Sequence, residues 1–202
     1  FKKDDDILHM DLRSAYPAYM VSEYKKPGNR REKWDFFVSH QEDKINLYEI
    51  EFRCHNDNEF AKWFINEVAY TKRKVVREEE YTSGRVKFFS SPELNMSDYV
   101  AKMLENEYYY VVSTTQFGVE DAFIDKFVNA KNVIDLYENK EKGHDSFNLK
   151  STNSYKKMLN ESSGWLQKVD RPTYYHMVQT VKHNIMKMIY DNDLFDNLIS
   201  VM

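Results

Sequence analysis

The chain has 202 residues, 42% hydrophobic and 31% charged, which excludes a disordered tail and allows one large domain or two small ones with a real core. A net charge of −4 excludes a global basic field for nucleic acid, and the basic clusters "KKPGNRREK" (25–33) and "TKRKVVR" (71–77) each read as a solvated face. The one cysteine, Cys54, excludes an internal disulfide and a Cys-based zinc site and fits a reducing compartment.

No apolar run approaches membrane-spanning length and no signal peptide is visible; Phe1 in place of Met points to a longer parent chain. Aromatics reach 15%, with 15 Tyr and 13 Phe. That surplus suits either Tyr-rich packing or a surface that stacks on flat ligands.

In chain order, "ILHMD" (7–11) reads as a short strand that ends on the Asp11 carboxylate and turns through Ser-Ala-Tyr-Pro. An Asp in that place serves a turn or a ligand. "NLYEIEFR" (46–53) alternates as a second strand, and "NEFAKWFINE" (58–67) follows as a short amphipathic helix. Residues 68–92 are charged and irregular, the place expected for an inserted or mobile element. "SDYVAKMLENEY" opens a helix with a Ser cap, and "YYYVVSTTQFG" (108–118) is a strand that glycine should stop.

A long helix should start near Glu120, with Phe123, Phe127, Ala130, Ile134 and Tyr137 along one stripe, and "NKEKGHDS" should break it. The next helix runs from about Phe147 to Ser162 and ends at Gly164. A third covers Tyr174 to Tyr190, with Val178, Val181, Ile185, Met188 and Ile189 on one face, before "NLISVM" begins a buried strand. The fold class expected is α+β, a small sheet carrying Asp11 beside an antiparallel helix pair.

Lys156 and Asn160 stand four apart and share a helix face, and Lys131 on the preceding helix can come to the same side. Two ammonium groups and an amide on one wall suit a polyphosphate.

Three stretches carry a resemblance. "DLRSAYPAYM" resembles the first polymerase motif of family B DNA polymerases, Asp-x-x-Ser-Leu-Tyr-Pro, and "YKKMLNESSG" (155–164) resembles their Lys-x-x-x-Asn-Ser-x-Tyr-Gly motif. Between them "AFIDKFVNAK" (122–131) looks like the first fingers helix of the protein-primed branch of small phages and linear plasmids.

The resemblance implies a palm-type antiparallel sheet with the helix pair as fingers: palm over 1–67, an inserted subdomain over 68–118, fingers over 119–164, and the second part of the palm over 165–202. It implies that Asp11, with the Leu12 carbonyl, binds two divalent ions, Mg²⁺ or Mn²⁺. Ser14 and Ala15 would offer backbone N–H groups to the triphosphate, and Tyr16 would lie under the sugar, unless Tyr16 is a core residue. Lys131 and Lys156 would hold phosphates and Asn160 would line the nucleotide pocket, for two-metal transfer from dNTP to a primer 3′-hydroxyl.

Primer–template DNA, dNTP, a terminal priming protein and the rest of the polymerase chain are the partners implied, without a membrane, in the cytoplasm of a phage-infected or element-bearing host cell. Three departures stand beside this: Ala15 for Leu, Glu161 for Ser and Ser163 for Tyr. The Asp-Thr-Asp motif expected after "NLISVM" is absent, so the isolated chain is expected to be inactive. Two alternatives are a non-catalytic nucleic-acid-binding module derived from a polymerase and one half of a split polymerase. A third is an unrelated α+β binding domain.

Overall fold

The computed structural model describes residues 15–20, 25–92, 94–120, 138 and 149–192. The strand expected at 7–11, most of the helix expected over 120–137 and the segment "NLISVM" lie outside them. The described residues form a mixed α+β fold around one five-stranded antiparallel sheet. Its strands are β1 (Lys26–Trp34), β2 (Lys44–His55), β3 (Thr71–Arg77), β4 (Tyr81–Ser90) and β5 (Tyr108–Glu120), in the spatial order β1-β5-β2-β4-β3. Five helices accompany it: α1 (Ala15–Met20), α2 (Glu59–Trp63), α3 (Met96–Met103), α4 (Leu149–Val169) and α5 (Arg171–Asp191). No described helix is long and apolar enough to cross a membrane.

β2 is central because its alternation is the cleanest. Tyr48, Ile50, Phe52 and Cys54 are buried on one face, while Arg53 and His55 are exposed on the other. On the buried face Val86 and Phe88 of β4 meet Phe64 and Ile65 of a π-helical turn (Phe64–Val68) that continues α2, and Met96, Val100 and Met103 of α3. On the opposite face Ile45, Phe89 and Phe117 form a second cluster, against which Tyr175 of α5 packs. α5 therefore covers one end of that face.

Several expectations are corrected. Residues 68–92 are not irregular: they hold β3 and β4, a hairpin closed by residues 78–80. Their charges belong to a strand pattern, since Arg85 pairs with Glu51 at 2.7 Å and Lys87 with Glu49 at 3.1 Å across β2. β5 is not stopped by Gly118 but runs to Glu120. α3 begins at Met96, one residue before Ser97, and Asn95 precedes it without a side-chain capping bond. The Ser97 N–H is satisfied from β4, by the Ser90 hydroxyl at 3.1 Å.

Gly164 does not end α4, which continues to Val169. A Cβ there would meet nothing within 4 Å. Gly164→Ala should therefore raise stability by roughly 0.5–1 kcal/mol, read as a higher thermal midpoint. Gly28 is the opposite case. A Cβ would lie 2.8 Å from the Gly118 carbonyl oxygen and from the Glu120 Cγ, so Gly28→Ala must push β1 off β5 and lower the midpoint.

The third correction of a helix concerns which face of α5 is buried. Thr173, His176, Met177, Gln179, Thr180 and His183 are buried, whereas Val178, Val181, Ile185 and Met188 are only half-buried. Specific partners satisfy part of this polar face, while His176 Nε2, Gln179 Nε2 and His183 Nε2 are buried without one among the described residues. The Gln179 side-chain oxygen accepts the Phe89 N–H at 2.7 Å, and the Thr180 hydroxyl donates to the His176 carbonyl at 2.9 Å. Asp170 starts α5 by accepting the Thr173 N–H at 3.3 Å and hydroxyl at 2.7 Å, with Pro172 placed in the first turn, where no N–H is needed.

Candidate nucleotide-binding site

Asp11, Leu12, Ser14 and Lys131 lie outside the described residues. What is described begins with α1, whose Pro17 is tolerated because it sits in the first turn. Ala15 opens that helix and is half-buried. Tyr16 is half-buried too. It packs with Tyr174 against a cluster of Tyr19, Met20, Leu166 and Met177. Burial first, and the neighbouring Tyr174 second, push the Tyr16 hydroxyl above its ordinary pKa. α1 thus rests on α4 and α5 together, which seats Ala15, Tyr16 and Pro17 on the helix that carries Lys156 and Asn160.

Lys156 lies within α4, and Asn160 is exposed on it. The two departures on this helix have different fates. Glu161 is exposed and pairs with Lys157 at 4.0 Å, a contact worth little in solvent. Ser163 is buried, and its hydroxyl donates to the Asn160 carbonyl at 2.9 Å. A small side chain therefore fills, inside the helix packing, the position where the family motif has Tyr.

Beneath this group sits His176. Its Nδ1 meets the Tyr19 hydroxyl at 2.7 Å, and burial alone pushes its pKa down to about 3, so the ring is neutral. The neutral ring gives α1 a polar anchor on α5 without placing a charge under Tyr16.

A separate cleft of about 610 Å³ lies at the far end of β2 and is lined by His55, Asp57, Asn58, Lys102 and Glu107, with no residue of the three motifs. Glu107 accepts the His55 N–H at 3.1 Å, the His55 Nδ1–H at 2.9 Å and the Asn58 amide at 3.1 Å. Burial would raise the Glu107 carboxyl, but the donors on Asn58 and His55 outweigh it and hold it below the usual range. This fixes the imidazole of His55 against Tyr81, ring centroids 4.5 Å apart. Among the described residues no group of three or more His, Cys, Asp or Glu side chains is placed to hold a metal ion. Cys54 is buried and its thiol is pushed up to about 11, by burial first, so it is no nucleophile.

The motifs did not point to this cleft or to the tyrosines Tyr108 and Tyr110. The signal available was His55 closing an alternating strand, with Glu107 just before the next one.

No family model matches the chain, and no curated protein does. Two solved structures align with it. Phi29 DNA polymerase complexed with primer-template DNA does so at 9% identity, over 86% of this chain and 24% of the polymerase, with a TM-score of 0.32. The same polymerase complexed with single-stranded DNA does so at 10% identity, over 86% and 23%, again with a TM-score of 0.32. The chain spans about a quarter of that polymerase. These neighbours are DNA polymerases at low similarity, and a likeness this weak carries no argument about function.

Proposed function

We propose that the chain is the palm-and-fingers portion of a protein-primed-type DNA polymerase, and that its motif residues bind a deoxynucleoside triphosphate for transfer to a primer 3′-hydroxyl. One observation carries the reading. The Ala-Tyr-Pro stretch that opens α1 and the helix α4, far apart in sequence, pack against each other through Tyr16, Tyr19 and Met20 on one side and Leu166, beyond Lys156 and Asn160 on α4, on the other.

In this reading Lys156 and Lys131 neutralise phosphate oxygens, the backbone of Ser14 and Ala15 donates to the triphosphate, Tyr16 lies under the sugar and Asn160 borders the base. The Asp11 carboxylate and the Leu12 carbonyl are the hard oxygen donors this chain contributes to Mg²⁺ or Mn²⁺, which would supply charge stabilisation at the phosphates. One carboxylate does not complete a two-ion site. The half-buried ring of Tyr16 fits a residue with one side on protein and one on a ligand.

Nucleotide titration tests this, followed with a fluorescent deoxynucleoside triphosphate. Lys156→Ala should weaken binding roughly 10- to 150-fold, the effect of losing one charge-assisted hydrogen bond of about 1.5–3 kcal/mol. Tyr16→Val should stay folded and bind the ribonucleoside triphosphate more nearly as well as the deoxy form. Lack of nucleotide binding, or binding indifferent to Lys156, would sink the reading. It would favour the second one, a non-catalytic nucleic-acid-binding module, for which the buried Ser163 in place of Tyr speaks.

A further inference from the structure

Among the described residues, the sheet face that α5 partly covers is bare at its other end. The register places Tyr108, Arg53 and Ser83 in one rung across β5, β2 and β4, and Tyr110, Glu51 and Arg85 in the next. Tyr108 is 60% exposed and Tyr110 is 41% exposed, with ring centroids 5.9 Å apart. Arg53 lies flat over Tyr81, its guanidinium 4.2 Å from the ring centre. β1 pairs only with Thr114–Glu120 of β5, so among the described residues the stretch carrying the two tyrosines is also an open edge.

We propose that this uncovered half of the sheet, built on Tyr108, Tyr110, Arg53 and Arg85, is a stacking surface for single-stranded nucleic acid. Its area is aromatic and guanidinium rather than aliphatic, with Val76 on the edge strand as the aliphatic exception. Flat π-faces beside cations suit unpaired bases of any sequence, whereas a stable protein partner needs a broader apolar centre. Charge complementarity agrees. On the strands of this half Arg53, Lys74, Arg85 and Lys87 face Glu49 and Glu51, with Glu78 of the adjoining turn 3.7 Å from Arg53, which leaves one cation in excess although the chain as a whole carries −4.

Arg85 meets Glu51 through Nε, at 2.7 Å, so its terminal nitrogens remain for a phosphate. The acidic turn at 78–80 limits the footprint, which runs across the strands from Tyr110 towards Arg85 and away from that turn.

This inference stands on the sheet and does not depend on the nucleotide site. Fluorescence anisotropy of a fluorescein-labelled oligothymidylate tests it on the full chain. The Tyr108→Thr/Tyr110→Thr double variant keeps strand-forming residues at exposed positions, and it should raise Kd roughly 5- to 150-fold for each stacked base lost. The Tyr→Phe pair keeps the rings and should bind like the unaltered chain, which separates stacking from any folding defect. Arg85→Gln should lower the slope of log K against log salt by about 0.7. Lys156→Ala should leave oligonucleotide binding intact even as nucleotide binding falls. The proposal is overturned if the unaltered chain does not bind, if the Thr pair binds equally well, or if duplex DNA binds as tightly as the single strand. It is equally overturned if the loss follows Lys156 instead of the tyrosines.

Discussion

Lys26→Ala should destabilise the fold by roughly 3–5 kcal/mol, the loss expected when one member of a buried charge cluster is removed. The Lys26 side chain is 3% exposed, and its ammonium lies 3.3 Å from the Glu120 carboxylate and 3.7 Å from that of Asp170. Those two groups have other duties. Glu120 also accepts the Asn29 N–H at 3.1 Å, and Asp170 caps α5. Removing the cation leaves two carboxylates facing each other where β1, β5 and the start of α5 converge, and it opens the space of the aliphatic stem. Urea unfolding followed by tryptophan fluorescence would measure the loss. Lys26→Met/Glu120→Gln, which restores the stem and removes one negative charge, should recover a large part of it. A loss below about 1 kcal/mol for Lys26→Ala would mean the cluster behaves like an exposed ion pair.

The second large effect is a loss of stability in mild acid, driven by His176. An unfolded histidine takes up its proton near pH 6.5, whereas the buried ring in the fold does so only at about 3. Between those values the unfolded chain binds a proton that the folded chain refuses, so stability falls as pH falls, by up to about 1.4 kcal/mol per pH unit. Burial also lowers His183, which adds in the same direction. Glu107 is held low in the fold, so its contribution is present at neutral pH and is lost only as pH drops through the carboxylate range. The window from pH 6.5 to 4.5 therefore belongs to the histidines. Denaturation midpoints across it should show the slope, and His176→Gln should flatten it. An unchanged slope in that variant would place the acid sensitivity elsewhere.

What the amino-acid order made legible was periodicity with a plain chemical sign. β2 could be read because Tyr48, Ile50, Phe52 and Cys54 alternate with charged or polar residues. β3 and β4 could not, because their outward residues are charged and β4 finds its partners on β2, while β3 is held by β4, information that no local window contains. Gly118 and Gly164 look like stops, yet each sits in an element held by neighbours: β1 and β2 flank Gly118, and α1 contacts the helix that contains Gly164. In α5 the apolar stripe misled because Gln179 and His176 are buried against partners on β4 and α1.

For the candidate site, the described residues show α1 packed on α4, while Asp11 and Lys131 lie outside them. The motif spacing did not reveal that Ser163 would turn its hydroxyl back onto Asn160. The tyrosine surplus was visible as composition, but which rings face solvent depends on where α5 stops covering the sheet.

The pairing of β1 has a consequence for how the chain is made. Among the described strands β1 comes first and bonds only to β5, the last of them. A ribosome adding roughly 5–20 residues per second must complete β2, β3, β4 and both intervening helical segments before that partner exists, so β1 waits unpaired for several seconds. A nascent strand with open backbone groups is a template for aggregation unless its own residues forbid it. "KPGNRREK" does so, with a proline, a glycine and a run of cations along the waiting edge. The basic cluster thus protects the growing chain before it ever faces solvent in the finished one.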